Sequence, residues 1–346
     1  MENYSEVRAI LERLCGAKGV SGAEDGAANA AAEMLAEYMP VHRSALGSVC
    51  GSLEGSGAHI LLDAHIDQIG LVVTAIDDDG FLKVAKCGGA DIRVLAAAEV
   101  TVHGKKDIHG VITSTPPHLA SASDEGKAKA FDEIAIDIGM KKEAALELVS
   151  PGDRVTFDGR FLSMLGSRVS SPSIDDRAGV AAILRCLELL RGREHSCRLS
   201  VLFSVQEETG GSGAQTGAFE AAPEQAIATD VSFGSAPDVS SEKYASLGKG
   251  TMIGYAPSLD RKMSVRLAAI AKGKRALPPS PRSWAAGRAR NCDEIQISGS
   301  GVRTALLSIP IRKYAHRSGA VRPRRYRGDR KAHGGNISPR EGKADA

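Results

Sequence analysis

The sequence predicts an α/β protein built on a mainly parallel sheet and interrupted by a small inserted all-β domain. Near-continuous apolar strands such as Ile60–Ala64, Leu199–Val205 and Gln225–Thr229 alternate with segments of helical period, the pattern of strands covered on both faces. Between about Gly70 and Phe161 the texture changes to short strands and turns, and then changes back. Polar clusters stand at the ends of five apolar runs, where sheets of this class bind their ligands.

Each element has its own signal. Val7, Ile10, Leu11 and Leu14 predict a helix over 4–18, and Ala28, Ala31, Met34 and Leu35 a second over 24–38. Ser21 followed by Glu24 reads as a capping box for the second helix. After the strand at Ile60–Ala64, the runs Leu71–Ile76 and Phe81–Val84 flank Asp78-Asp79-Gly80 and predict a hairpin. Val100–His103, Gly110–Ile112, Glu133–Asp137 and Asp153–Phe157 add further short strands. The α/β texture resumes near residue 164, with a helix over Arg177–Leu190 whose inner face carries Val180, Ile183, Leu184 and Leu187.

The 346 residues are enough for one large domain or two, and 42% hydrophobic with 25% charged residues is ordinary globular composition. A net charge of +2 argues against a dedicated nucleic-acid or membrane surface. The first residues are polar and acidic, unlike a signal peptide, and no apolar run approaches the ~18 residues of a membrane span. Six scattered cysteines without a CxxC pair indicate neither a thiolate zinc site nor a disulfide framework, so a reduced, cytoplasmic protein is expected.

The five clusters are Leu61–Asp67, Ser173–Arg177, Val201–Glu208, Ala226–Asp230 and Leu306–His316. Carboxylates and imidazoles at buried strand ends are costly unless satisfied, and a divalent cation satisfies a mixed His/Asp/Glu set. Singly, each has an ordinary reading: His65-Ile-Asp67 as a hydrogen-bonded pair, Asp175-Asp176 as a helix N-cap, Glu207-Glu208 as a solvated turn. Together with Asp230 and His316 they spell a two-metal site. One of the two adjacent glutamates can bind metal while its neighbour takes a proton from water.

The motifs Asp63-Ala-His-Ile-Asp-Gln-Ile-Gly70, Ile174-Asp-Asp-Arg-Ala-Gly179, Val205-Gln-Glu-Glu-Thr-Gly210, Ala226–Asp230, Leu247–Gly250 and Asp293–Ser298 resemble the tetrahedral-aminopeptidase family of dinuclear metallopeptidases. That family includes glutamyl aminopeptidases and the so-called cellulase M type. The resemblance covers about 6–265 and 291–316. It implies two divalent metal ions per subunit, zinc or cobalt, with His65 and Asp230 on one, Glu208 and His316 on the other, and Asp175 bridging them. It further implies Glu207 as the general base and Asp67 as the group that orients His65. The reaction would remove N-terminal residues from short peptides. The catalytic domain would comprise 1–69 and 164–316. The inserted barrel-like domain at 70–163 would mediate dimer contacts, with dimers assembling into a homo-oligomeric dodecamer.

Gln68 stands where an acid is common in the family. Two stretches lose the family pattern: the proline-rich, basic 272–290, which fits neither helix nor strand, and the basic tail 317–346, which reads as disordered. Both read as frameshifted translation. Two other functions follow from the residues: an N-acyl amino-acid deacylase using the same site, and an inactive assembly subunit lacking a closing scaffold.

Overall fold

The computed structural model describes residues 4–119, 128–237, 244–273, 281–283, 290–312 and 319–321. Two helices, α1 (Tyr4–Gly16) and α2 (Asp25–Leu35), precede three strands, β1 (Val41–Arg43), β2 (Val49–Leu53) and β3 (Gly57–His65). Six strands follow: β4 (Gly70–Ile76), β5 (Leu82–Cys87), β6 (Glu99–His103), β7 (Asp107–Ile112), β8 (Ala135–Asp137) and, after the short helix α3 (Lys142–Leu148), β9 (Arg154–Phe157). The chain continues through β10 (Leu162–Ser163), β11 (Val169–Ser171), α4 (Ile174–Leu190), β12 (Cys197–Ser204), α5 (Ser212–Ala221), β13 (Gln225–Phe233) and β14 (Met252–Tyr255). It closes with α6 (Arg261–Gly273), β15 (Pro281–Ser283), α7 (Arg290–Gln296), β16 (Arg303–Ile311) and β17 (Gly319–Val321).

Eight strands form one mixed sheet in the order β1-β2-β12-β3-β13-β16-β14-β15. Its four central strands, β12, β3, β13 and β16, are parallel, and β2 and β14 flank them antiparallel. The parallel centre follows from strand composition: β12 is buried at six consecutive positions, Leu199–Ser204, so both faces must be covered. On one face Leu11, Leu14, Ala31, Leu35, Ile183 and Leu187 of α1, α2 and α4 pack on Val201 and Phe203. On the other, Ala214, Ala218, Cys292 and Ile295 of α5 and α7 pack on Leu61, Leu202 and Leu306. Each fully buried Leu or Phe contributes roughly 1.5–3 kcal/mol.

The expected hairpin forms as β4 and β5, and these close with β8, β7, β6 and β9 into a barrel. The barrel has its own core, including Leu71, Val73, Leu82, Val100, Ile112, Ile136 and Val155.

Three sequence readings change. Ser21 does not cap α2; its hydroxyl bonds Thr209 Oγ1 at 2.8 Å, and Glu24 holds the N-cap position with its carboxylate turned back to the Gly22 N–H at 2.6 Å. Within 272–290, Pro281–Ser283 forms a strand beside β14 at the end of the sheet order. An edge strand that begins on proline loses no needed N–H. Within the stretch read as a disordered tail, Gly319–Val321 pairs antiparallel with β11.

Candidate metal centre

The parallel register sets two candidate residues at one level. Ser204 pairs with His65, Ala228 with Asp63 and Asp230 with Ser308, so His65 and Asp230 lie level on neighbouring strands. His65 is the last residue of β3, whereas Asp230 lies within β13, which runs on to Phe233 rather than ending at the aspartate.

His65 is 1% exposed and faces carboxylates from both ring nitrogens. Nε2 lies 3.1 Å from Asp175 Oδ1 and 3.9 Å from Asp230 Oδ1. Nδ1 lies 3.3 Å from Asp67 Oδ1 and 3.2 Å from the Asp67 carbonyl oxygen. Burial disfavours the charged ring, but hydrogen bonds to Asp175 and Asp67 and the charge of Glu207 outweigh it and hold the imidazole well above its ordinary value.

Asp67 is fully buried and organises the second cluster. Its two carboxylate oxygens accept the backbone N–H groups of Glu207 at 3.0 Å and Glu208 at 3.1 Å. Burial alone would raise its pKa; the His65 contact and those two N–H groups reverse the sign and lower it. The preceding Gln206 sits at φ +59°, and its N–H donates to Glu24 Oε1 at 3.2 Å. A tight turn after β12 is thus fixed on two buried carboxylates, and it presents Glu207 and Glu208 side by side.

Asp175 and Asp176 have non-helical backbone at the entry to α4, between Ser173 at φ +62° and the regular helix. Asp176 is fully buried; its Oδ1 accepts the Gly179 N–H at 3.0 Å, and its Oδ2 has no partner among the described residues. Arg177 is also fully buried. It donates to the Leu14 and Ala17 carbonyls at the end of α1 and to Gln68 Oε1 at 3.3 Å. A cation at a helix C-terminus satisfies orphan carbonyls and complements the dipole. Gln68 Oε1 also accepts from Ser173 Oγ at 2.9 Å, so a neutral amide here ties the His65–Asp67 segment to the entry of α4.

The ligand atoms of His65, Asp175 and Asp230 all lie within 4.8 Å of one another. Burial, then the charge of Asp175, pushes the carboxyls of Asp230 and Glu208 well above the ordinary range. Burial, then Asp230, does the same to Asp176. Mutually repelling carboxylates around one imidazole are the charge pattern that a divalent cation neutralises, and the hard-oxygen and imidazole donors suit zinc-class metals. The residues present therefore fit a metal.

The barrel also reaches this place. At Gly88, with φ +75°, a Cβ would stand 2.9 Å from Glu208 Cβ and 3.0 Å from its Oε2. Only glycine allows that approach without a shift.

The structure gathers His65, Asp67, Asp175, Glu207, Glu208 and Asp230, whereas His316 lies outside the described residues. Sequence reasoning missed Asp63, which is fully buried beneath His65 and accepts from Asn291 Nδ2 at 2.8 Å. Burial pushes its carboxyl up to about 7. An acid inside the apolar run Ile60–Ala64 was the available signal. Asn291 offered none, because its partner is 228 residues away.

Imidazole and carboxylate groups gathered on the carboxyl side of the parallel strands lie where sheets of this class bind their ligands, and the donor set is one that metal-assisted hydrolysis uses. The family model described as M42 glutamyl aminopeptidase matches residues 47–325. A lysyl aminopeptidase of Pyrococcus furiosus is 33% identical over 320 residues, 89% of each chain. The TET aminopeptidase of a marine-sediment thaumarchaeon superposes with a TM-score of 0.87 at 26% identity, covering 92% of both chains. The Pyrococcus horikoshii TET1 peptidase, described as assembling into a tetrahedron or a large octahedral shell, gives 0.80 at 30% identity, covering 91% of this chain and 94% of its own. The chain belongs to the M42 glutamyl aminopeptidase family, a family of metal-dependent peptidases. Among the described residues no helix is long and apolar enough to cross a membrane.

Proposed function

We propose that this chain is a cytoplasmic aminopeptidase that removes N-terminal residues from short peptides with two divalent cations, zinc or cobalt. The observation that carries the reading is the convergence of His65, Asp175 and Asp230 within 4.8 Å, beside a Glu207-Glu208 turn held by Asp67. His65, Asp175, Glu208 and Asp230 would hold the metals, with His316 as a further ligand. When bound, the cations supply Lewis acidity at the scissile carbonyl and make water acidic enough to lose a proton near neutral pH.

The chain's own residues do the rest. Asp67 accepts from His65 Nδ1–H and so directs Nε2 into the site. Its grip on the Glu207 and Glu208 amides fixes the backbone that carries the two adjacent glutamates. Glu207, 8% exposed, takes the proton from the attacking water and returns it to the leaving amine, a contribution of roughly 10²–10⁴-fold. The concentration of carboxylates favours a substrate whose free α-ammonium enters with positive charge.

The barrel would mediate dimer contacts that build a dodecameric shell. Release of amine from amino-acid anilides, run against N-acetyl amino acids as substrates, tests the activity. Turnover of the anilides alone is expected. Hydrolysis of the N-acetyl compounds alone would make the chain a deacylase.

A further inference from the structure

A second cluster of metal-binding side chains lies on the antiparallel edge of the large sheet. β1 and β2 pair so that His42 stands directly opposite Cys50. Cross-strand partners of this kind bring their Cβ atoms to about 4.5–5.5 Å. Glu220, in the last turn of α5, reaches the same spot, with its Oε1 2.6 Å from His42 Nε2. The His42 nitrogen, the Cys50 sulfur and the Glu220 carboxylate oxygen all lie within 4.8 Å of one another.

We propose that His42, Cys50 and Glu220 form a separate mononuclear site for a zinc-class divalent cation, which clasps the β1–β2 hairpin to α5. Three protein donors with a fourth position left open is the arrangement such an ion takes in open tetrahedral sites, and thiolate, imidazole and carboxylate are each among its ligands, with metal–donor lengths of about 2.0–2.3 Å. Those lengths put ligand atoms about 3.4 Å apart, so closing the observed triad onto an ion needs only small side-chain rotations. A thiolate selects against magnesium and calcium and in favour of zinc or cobalt.

The surroundings supply the remaining needs. The three residues line a cavity of about 180 Å³ together with Ser52, Ser200 and Arg198, which leaves room for a water as fourth ligand. Cys50 is only 9% exposed, and its sulfur donates weakly to the Ser48 carbonyl at 4.0 Å. His42 and Glu220 are 58% and 48% exposed, so the cation can enter from solvent. Binding forms a cation–sulfur bond and sends the thiol proton to solvent; nothing is oxidised or reduced.

This site stands independently of the proposed catalytic function, because the dinuclear candidate contains no sulfur. The test uses the full-length protein, stripped of metal and titrated with cobalt(II). A sulfur-to-cobalt charge-transfer band in the near ultraviolet is expected, and Cys50→Ser should abolish it. The exposed substitutions His42→Ala and Glu220→Gln should each weaken cobalt binding at this band by at least about tenfold. Peptidase activity should survive all three changes. Absence of the band in the wild-type protein at saturating cobalt, or its persistence in Cys50→Ser, overturns the proposal. Should Cys50→Ser fail to fold, an unchanged cobalt affinity in both His42→Ala and Glu220→Gln overturns it equally.

Discussion

Asp67 accepts the backbone N–H of Glu207 at 3.0 Å, across 140 residues of sequence. The same carboxylate lies 3.3 Å from His65 Nδ1, so one fully buried side chain sets both the imidazole and the turn that carries the adjacent glutamates. Replacing it by asparagine leaves one acceptor oxygen and turns an NH₂ toward one of the two amide donors. Asp67→Asn is expected to cost about 1–3 kcal/mol of stability and to lower metal affinity or activity by roughly 10–100-fold. Thermal melts and metal titration of the variant check both; unchanged values in both would remove Asp67 from the account.

The approach of the barrel to Glu208 gives a matched pair of substitutions. Gly88→Ala places a methyl 2.9 Å from Glu208 Cβ at φ +75°, whereas a Cβ at the neighbouring Gly89 meets nothing within 4 Å. Left-handed backbone costs an alanine roughly 1–2 kcal/mol. Gly88→Ala should therefore lose most of its activity and some stability, while Gly89→Ala should match the wild type in both. Parallel kcat measurements and melting curves decide it; equal behaviour of the two variants would mean that the barrel does not shape the site.

The buried carboxyls give a pH dependence with a definite sign. Burial and Asp175 raise Glu208 and Asp230 in the folded, metal-free protein. Their contribution to stability is therefore complete below the unfolded value near pH 4 and is lost as pH rises through their folded values. A cation relieves that loss and displaces the protons. The gain in melting temperature on adding zinc should be larger at about pH 8 than at about pH 5.5, with protons released on binding. Calorimetry with and without zinc at the two pH values tests this, and a gain independent of pH would contradict it.

Much of the architecture was legible because its signals are local. The period of Val180, Ile183, Leu184 and Leu187 placed α4 correctly, and all four are buried. The turn at Asp78–Gly80 announced the β4–β5 hairpin. The candidate site residues stood out because each closes or follows an apolar run, a position where an unpaired charge is expensive. What was not readable depends on pairing through space. Glu24 looked like half of a capping box, but its carboxylate is spent on the Gly22 and Gln206 amides, the latter 182 residues away. The Asp63–Asn291 bond and the meeting of His42, Cys50 and Glu220 follow from tertiary packing and strand register, which a single chain's periodicity does not specify. Short edge pairings such as β15 and β17 escape composition rules for the same reason: backbone partners, not side-chain pattern, hold them.

The most direct test of the central claim is Glu207→Gln, assayed for bound metal and for turnover of an amino-acid anilide on the same preparation. Glutamine keeps the shape and the backbone N–H that Asp67 holds, and removes only the proton acceptor. The account predicts wild-type metal content with turnover reduced by roughly 10²–10⁴-fold. Retained turnover, or loss of activity only in step with loss of metal, would contradict the assignment of Glu207 as the base.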